Sequence, residues 1–132
     1  AVLLFGLYDF SGTGMVRSAN PDNLVLHAPT VRDTLRKLTP DMTDGERQTA
    51  SISPLYASLH GLPPALFIVG DKDMLLEDSQ LMQARWQGAS GNAELLVVPE
   101  SPHAFNRLHT AISSKVDGFT SDWIARRLQA DP

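Results

Sequence analysis

A chain of 132 residues with 42% hydrophobic and 20% charged side chains has the size and composition of one globular domain, able to bury roughly two-thirds of its unfolded surface. Its formal net charge of -4 is not the electrostatic footprint of a nucleic-acid binder, which argues against nucleic acid as a partner, and no apolar run approaches the about 20 residues of a membrane span. The absence of cysteine excludes disulfides, Cys-ligated zinc and a thiol nucleophile.

Ala1 to Phe5, AVLLF, reads as a buried strand from its first residue. It has no polar lead-in, so the expectation is that residues precede Ala1. No charged-then-apolar leader pattern is seen, which points to the cytoplasm. From Asp9 to Leu59 the chain is rich in Ser, Thr, Asp, Pro and Gly, with a helical patch at Val31 to Leu38 and a capping-box pattern from Thr43 to Glu46. This stretch reads as a long excursion carrying short helices.

The run ALFIVG, Ala65 to Gly70, follows two prolines that stop any helix from reaching it, and its unbroken apolar character predicts a central parallel strand. Leu76 to Gln87 predicts a helix of imperfect amphipathic period, ended by GASGN. Ala93 to Pro99 predicts another strand, and Val116, Phe119, Trp123, Ile124 and Leu128 mark one face of a closing helix. Strands alternating with helices over 65–128 predict an α/β fold: parallel strands, right-handed crossovers and helices on both sheet faces.

In such a sheet reactive groups gather beyond the carboxyl ends of the strands. Two loops meet that condition. One carries Asp71 and Asp73, the other, PESPHAF, carries His103. If their strands are neighbours about 4.8 Å apart, a carboxylate and an imidazole can meet. The carboxylate then fixes the ring's tautomer and leaves the second nitrogen free to accept a proton. Asp71 is expected to close a turn. Glu77 and Asp78 fall in a helix's first turn, where negative charge is favourable in any protein, and are expected to be structural. His27, His60 and His109 have no paired motif and are expected at the surface.

GLPPALFIVGDKDMLLEDS followed by VVPESPHAFNRL resembles the C-terminal part of the α/β-hydrolase superfamily, in the esterase and lipase branch related to hormone-sensitive lipase. SPLYASL and, less closely, VLLFGLYDF extend the likeness. The resemblance implies a partial α/β-hydrolase fold in which the N-terminal half of the sheet is missing. It further implies that Asp73, the first Asp of the D-P-L-x-D segment, is the triad acid and His103 the base. The length of the 9–59 excursion and its place between two strands give the expectation that it forms part of a lid-like wall over the acyl site. The implied activity is carboxylic-ester hydrolysis on a small acyl ester, with no cofactor and no metal. Three departures stand out: Met74 in place of Pro, Glu100 where a Gly often precedes the His, and Ala104 in place of Gly. The first two are expected to alter only loop stiffness. Ala104 requires a backbone compatible with a Cβ.

The nucleophile of that superfamily sits in a G-x-S-x-G turn, and no such turn occurs here. FSGTG and GASG put Ser11 and Ser90 near glycines without that spacing. The expectation is that these residues alone are inactive, that they join a companion bearing the nucleophile, and that otherwise the exposed flank of AVLLF drives self-association. A non-catalytic binding module or a truncated gene product on the same scaffold is the alternative. The D-x-D of a haloacid-dehalogenase-type phosphatase fits less well, since it leaves His103 unexplained. A calcium loop from Asp71 would place Leu75 at a ligand position.

Overall fold

Three parallel strands in the order β1-β2-β3 form the sheet of the computed structural model, which describes residues 1–18 and 24–130. The strands are β1, Val2–Leu4, β2, Ala65–Gly70, and β3, Ala93–Val98. All six residues of β2 are buried, as the unbroken apolar run requires of a strand covered on both faces. Val2 pairs with Leu66, and Gly70 with Val98.

The period-two pleat of β2 divides the core. Ala65 and Phe67 face one side, packing with Tyr8, Leu55, Met82 and Trp86. Leu66 and Ile68 face the other, packing with Val98, Phe105, Val116 and Trp123. A tryptophan anchors each layer and satisfies its indole N–H: Trp86 Nε1 donates to the Pro63 carbonyl at 3.0 Å, and Trp123 Nε1 to Glu94 Oε1 at 2.8 Å. Helices therefore cover both faces, as the alternation of elements predicts.

The first cover is α4, Leu76–Ser90, and it explains its own poor amphipathic pattern. Its inward residues, Asp78, Ser79, Met82 and Trp86, keep helical spacing, but two of them are polar. The helix also runs through Gly88, Ala89 and Ser90, which the sequence assigns to its terminating loop. It stops at Gly91, whose φ of 72° supplies the left-handed cap.

The second cover, α5, Ala111–Ala130, starts five residues before the predicted Val116. Thr110 and Ser113 exchange side-chain bonds with each other's backbone N–H groups at 3.2 and 3.0 Å, a reciprocal cap with Ser in the place of the usual Glu. The predicted apolar face is only partly inward. Val116 and Trp123 are buried, whereas Phe119, Ile124 and Leu128 are exposed.

The excursion holds α1, Gly14–Ser18, α2, Ala28–Leu38, and α3, Asp44–Arg47; its residues 19–23 lie outside the described residues. The Thr43 capping box is present, with Glu46 N–H on Thr43 Oγ1 and Thr43 N–H on Glu46 Oε2 at 2.7 Å. Leu55 N–H donates to Tyr8 O at 3.0 Å, which closes the base of the excursion. Its helices pack Val16 and Ala28 on Met74 and Leu75, just past the end of β2.

Candidate active site

Gly70 ends β2 beside the loop that follows β3, and the two loops are joined by backbone. Asp71 N–H donates to Val98 O at 2.9 Å and Lys72 N–H to Ser101 O at 3.1 Å, while Asp71 Oδ1 accepts the Ser101 N–H at 3.3 Å. Asp71 lies in a turn, as expected, but its carboxylate bonds the loop after β3, 30 residues along the chain, and not a nearby N–H. A Cβ on Gly70 would stand 1.8 Å from Ser101 O, so only glycine allows this approach. A glycine closing an apolar run was the available signal for it.

The clamp brings the next carboxylate and the histidine together. Asp73 Oδ2 lies 2.9 Å from His103 Nδ1, with the Asp73 side chain fully buried and that of His103 one-fifth exposed. Asp73 Oδ1 accepts the Leu75 N–H at 2.9 Å, which fixes the carboxylate's rotation. An acceptor-only carboxylate so placed makes Nδ1 the protonated nitrogen of the neutral ring. Nε2, on the far side of the ring, has no hydrogen bond among the described residues, so the imidazole can take a proton there.

Phe5, at the end of β1, meets His103 edge-to-face with ring centroids 4.9 Å apart. Its φ of 36° is unusual for an aromatic residue. Nothing in the sequence marked Phe5 for this contact. Two loop positions past β3 also have left-handed backbone: Glu100 at φ 50° and Ala104 at φ 56°. The expectation that Glu100 affects only loop stiffness is therefore corrected. Its conformation, like that of Ala104, is one that glycine adopts without steric cost.

His103 lines an open, largely apolar hollow of about 360 Å³ together with Leu7, Leu26, Val31, Leu35 and Leu75. Such a volume lies within the range of small-molecule sites. Three of these side chains come from the excursion, which sequence reasoning placed near the site only by its length and position.

Asp78 and Glu77 do not reach the histidine. Asp78 is fully buried and accepts Tyr8 N–H at 2.7 Å, Asp9 N–H at 3.1 Å and the Thr13 hydroxyl at 2.7 Å. Glu77 Oε2 accepts Met15 N–H at 2.6 Å. These carboxylates tie the start of the excursion to α4, in keeping with the structural part expected of them. Burial raises the Asp78 pKa above its usual value, against the lowering effect of those hydrogen bonds. The Tyr8 phenol is pushed up to about 12, first by burial and then by the Asp78 charge. His27, His60 and His109 are exposed, as expected. Among the described residues no group of three His, Asp or Glu is placed to hold a metal ion, and no helix is long and apolar enough to cross a membrane.

Comparison with known proteins agrees with this architecture. The sequence pattern of a family described as having the alpha/beta hydrolase fold matches residues 1–107. Among solved structures, the chain is similar to the HSL homologue EstE7 from a metagenome library, at 27% identity and a TM-score of 0.82, over 96% of this chain and 43% of that one. It is similar to a hormone-sensitive lipase from a metagenome library, at 25% identity and a TM-score of 0.82, over 96% and 43% of the two chains. An esterase from the bacterial hormone-sensitive lipase family matches at 27% identity and a TM-score of 0.74, over 87% and 39%. The chain thus spans less than half the length of these structures. Among curated proteins no sequence matches.

Proposed function

The chain belongs to the alpha/beta hydrolase fold family, and from that premise we propose that it carries the acid and the base of a carboxylic-ester hydrolase that works through a serine nucleophile. The observation that carries the proposal is the 2.9 Å contact between Asp73 and His103, made at the rim of adjoining parallel strands beside an apolar hollow. No serine of the chain stands in a G-x-S-x-G turn, so the nucleophile is assigned to residues outside this sequence. The structural relatives described as esterases support the ester class of substrate.

In the proposed reaction the serine hydroxyl passes its proton to His103 Nε2 as its oxygen attacks the ester carbonyl. Asp73 Oδ2, accepting the Nδ1–H, stabilises the imidazolium that forms. The imidazolium returns the proton to the departing alcohol. Water, deprotonated by the same nitrogen, then attacks the acyl-serine and releases the acid, and the imidazolium returns that proton to the departing serine oxygen. Leu26, Val31 and Leu35 would line the acyl chain's path, giving residues 9–59 the character of a wall or lid. The outer edge of β1, where Leu4 is exposed, is the proposed attachment for the remainder of the sheet, or for a second copy in its absence.

The test joins this segment to a nucleophile-bearing half and follows p-nitrophenyl butyrate hydrolysis. His103→Ala and Asp73→Asn should each lower kcat by roughly 10³–10⁴-fold while the fold persists. Unchanged kcat in His103→Ala would end the assignment. So would ester turnover by the isolated 132 residues that disappears in His103→Ala, because the nucleophile would then lie within them.

A further inference from the structure

A second hollow, of about 340 Å³, lies within the excursion and shares the Leu35 wall with the hollow beside His103. It is lined by Arg17, Arg32, Arg36 and Arg47, which are four of the chain's eight arginines. One lining carboxylate, Asp44, opposes them. In a protein of net charge -4, this convergence of like charge would be unfavourable unless screened or occupied.

Three of the guanidinium groups are oriented by the fold. Arg47 is buried and held by Thr39, with Nε donating to Oγ1 at 2.7 Å and Nη2 to the carbonyl at 3.0 Å. Arg17 Nε donates to Gly12 O at 2.7 Å, and Arg32 Nη1 to Arg17 O at 2.7 Å. Asp44 bonds Arg47 Nη1 at 3.1 Å and lies 3.7 Å from Arg17 Nη2, so it satisfies one edge of the hollow. Arg36 has no hydrogen-bond or ion-pair partner among the described residues. Phe10 and Leu35 add apolar surface to the same lining.

We propose that this hollow is a binding site for a small oxyanion, phosphate or carboxylate, borne on an apolar or aromatic group. Forked guanidinium donors match the oxygens of either anion, and donors already fixed by other contacts lose little freedom on binding. Phe10 and Leu35 would take the apolar part. The site is separate from the Asp73–His103 pair, and its occupancy does not depend on catalysis.

The chain itself can be titrated with inorganic phosphate, phenyl phosphate and benzoate at fixed ionic strength, read by calorimetry and by NMR of the arginine Nε–H resonances. Saturable binding is expected, with phenyl phosphate tighter than inorganic phosphate and perturbations concentrated on Arg17, Arg32, Arg36 and Arg47. Arg36→Ala breaks no hydrogen bond or ion pair among the described residues, and should weaken phenyl phosphate about tenfold. Asp44→Asn removes the competing carboxylate and should tighten binding severalfold. No saturable binding, or binding unchanged in both variants, overturns the site. Phenyl phosphate no tighter than inorganic phosphate overturns its apolar part, and benzoate binding without phosphate binding restricts the anion to carboxylates.

Discussion

Gly70 and Ser101 approach so closely that a Cβ on the glycine would lie 1.8 Å from the serine's carbonyl oxygen. This contact connects the fold to the proposed chemistry, because it seals the loop bearing Asp73 against the loop bearing His103. The obstacle to any larger residue is backbone and cannot swing aside. Gly70→Ala should therefore destabilise the protein by about 3 kcal/mol or more, beyond ordinary overpacking. In any folded fraction it should also abolish the downfield Nδ1–H proton resonance expected of an imidazole bonded to a buried carboxylate. Urea unfolding and proton NMR check the two effects. A stable Gly70→Ala protein retaining that resonance would show that the loops do not depend on this approach.

Left-handed backbone at Glu100 and Ala104 gives a prediction of the opposite sign. An L-residue in that region costs roughly 1–2 kcal/mol relative to glycine, while glycine's greater freedom in the unfolded chain returns about 0.4–1 kcal/mol. Ala104→Gly and Glu100→Gly should each raise stability by about 0.5–1 kcal/mol. Glu100→Gly also removes the ion pair with Lys72, but both partners are more than half exposed, and such pairs contribute little. Higher urea midpoints at unchanged slope are expected.

Asp78 permits a test of buried charge. Asp78→Ala leaves the Tyr8 and Asp9 N–H groups without their acceptor, at about 1–3 kcal/mol each. Asp78→Asn retains Oδ1 as acceptor, and its amide can donate to Thr13 Oγ1, so it should fold. The pH dependence separates Asn from Asp. Because burial raises the folded-state pKa of Asp78, the folded form holds the proton more tightly than the unfolded chain does. The associated stability is fully present below the ordinary carboxylate pKa and is lost as pH rises through the raised value. Asp78→Asn does not titrate, so it should gain on the wild type as pH rises from about 3 toward neutrality, with the difference levelling off once Asp78 is ionised. Parallel stability curves would show that burial does not govern this carboxylate.

Much of this arrangement is legible in the sequence because local signals and tertiary demands coincide. ALFIVG is apolar on both pleat faces and flanked by prolines and aspartates, so β2 was delimited to the residue. Asp73 and His103 were paired because each follows an apolar strand, and parallel strands put their carboxyl ends at one rim. Readings fell short where polar side chains face inward. Asp78 and Ser79 obscured the face of α4, and Ser113, acting as a cap, concealed the first turn of α5. The burial of Asp78 could not be read because an acidic residue in a helix's first turn already has a sufficient local reason. Phe5 on His103 and the excursion's leucines in the hollow are contacts between distant segments, which neither periodicity nor turn chemistry encodes.

Those excursion residues give the last prediction. Val31 lies on α2 and lines the hollow shared with His103, whereas Leu38 ends the same helix and is exposed. If the hollow receives the acyl chain, Val31→Trp should fill much of it and exclude long chains while leaving the Asp73–His103 contact intact. With this segment joined to its nucleophile, the ratio of kcat/KM for p-nitrophenyl octanoate to that for the acetate should fall at least about tenfold, since each methylene in an apolar pocket is worth about 1–3 kcal/mol. Val31→Ala should move the ratio the other way, and Leu38→Trp should leave it unchanged. Equal losses on both esters in Val31→Trp would point to disturbed catalysis instead of a narrowed acyl path. A ratio unchanged in Val31→Trp would remove residues 9–59 from the substrate's surroundings.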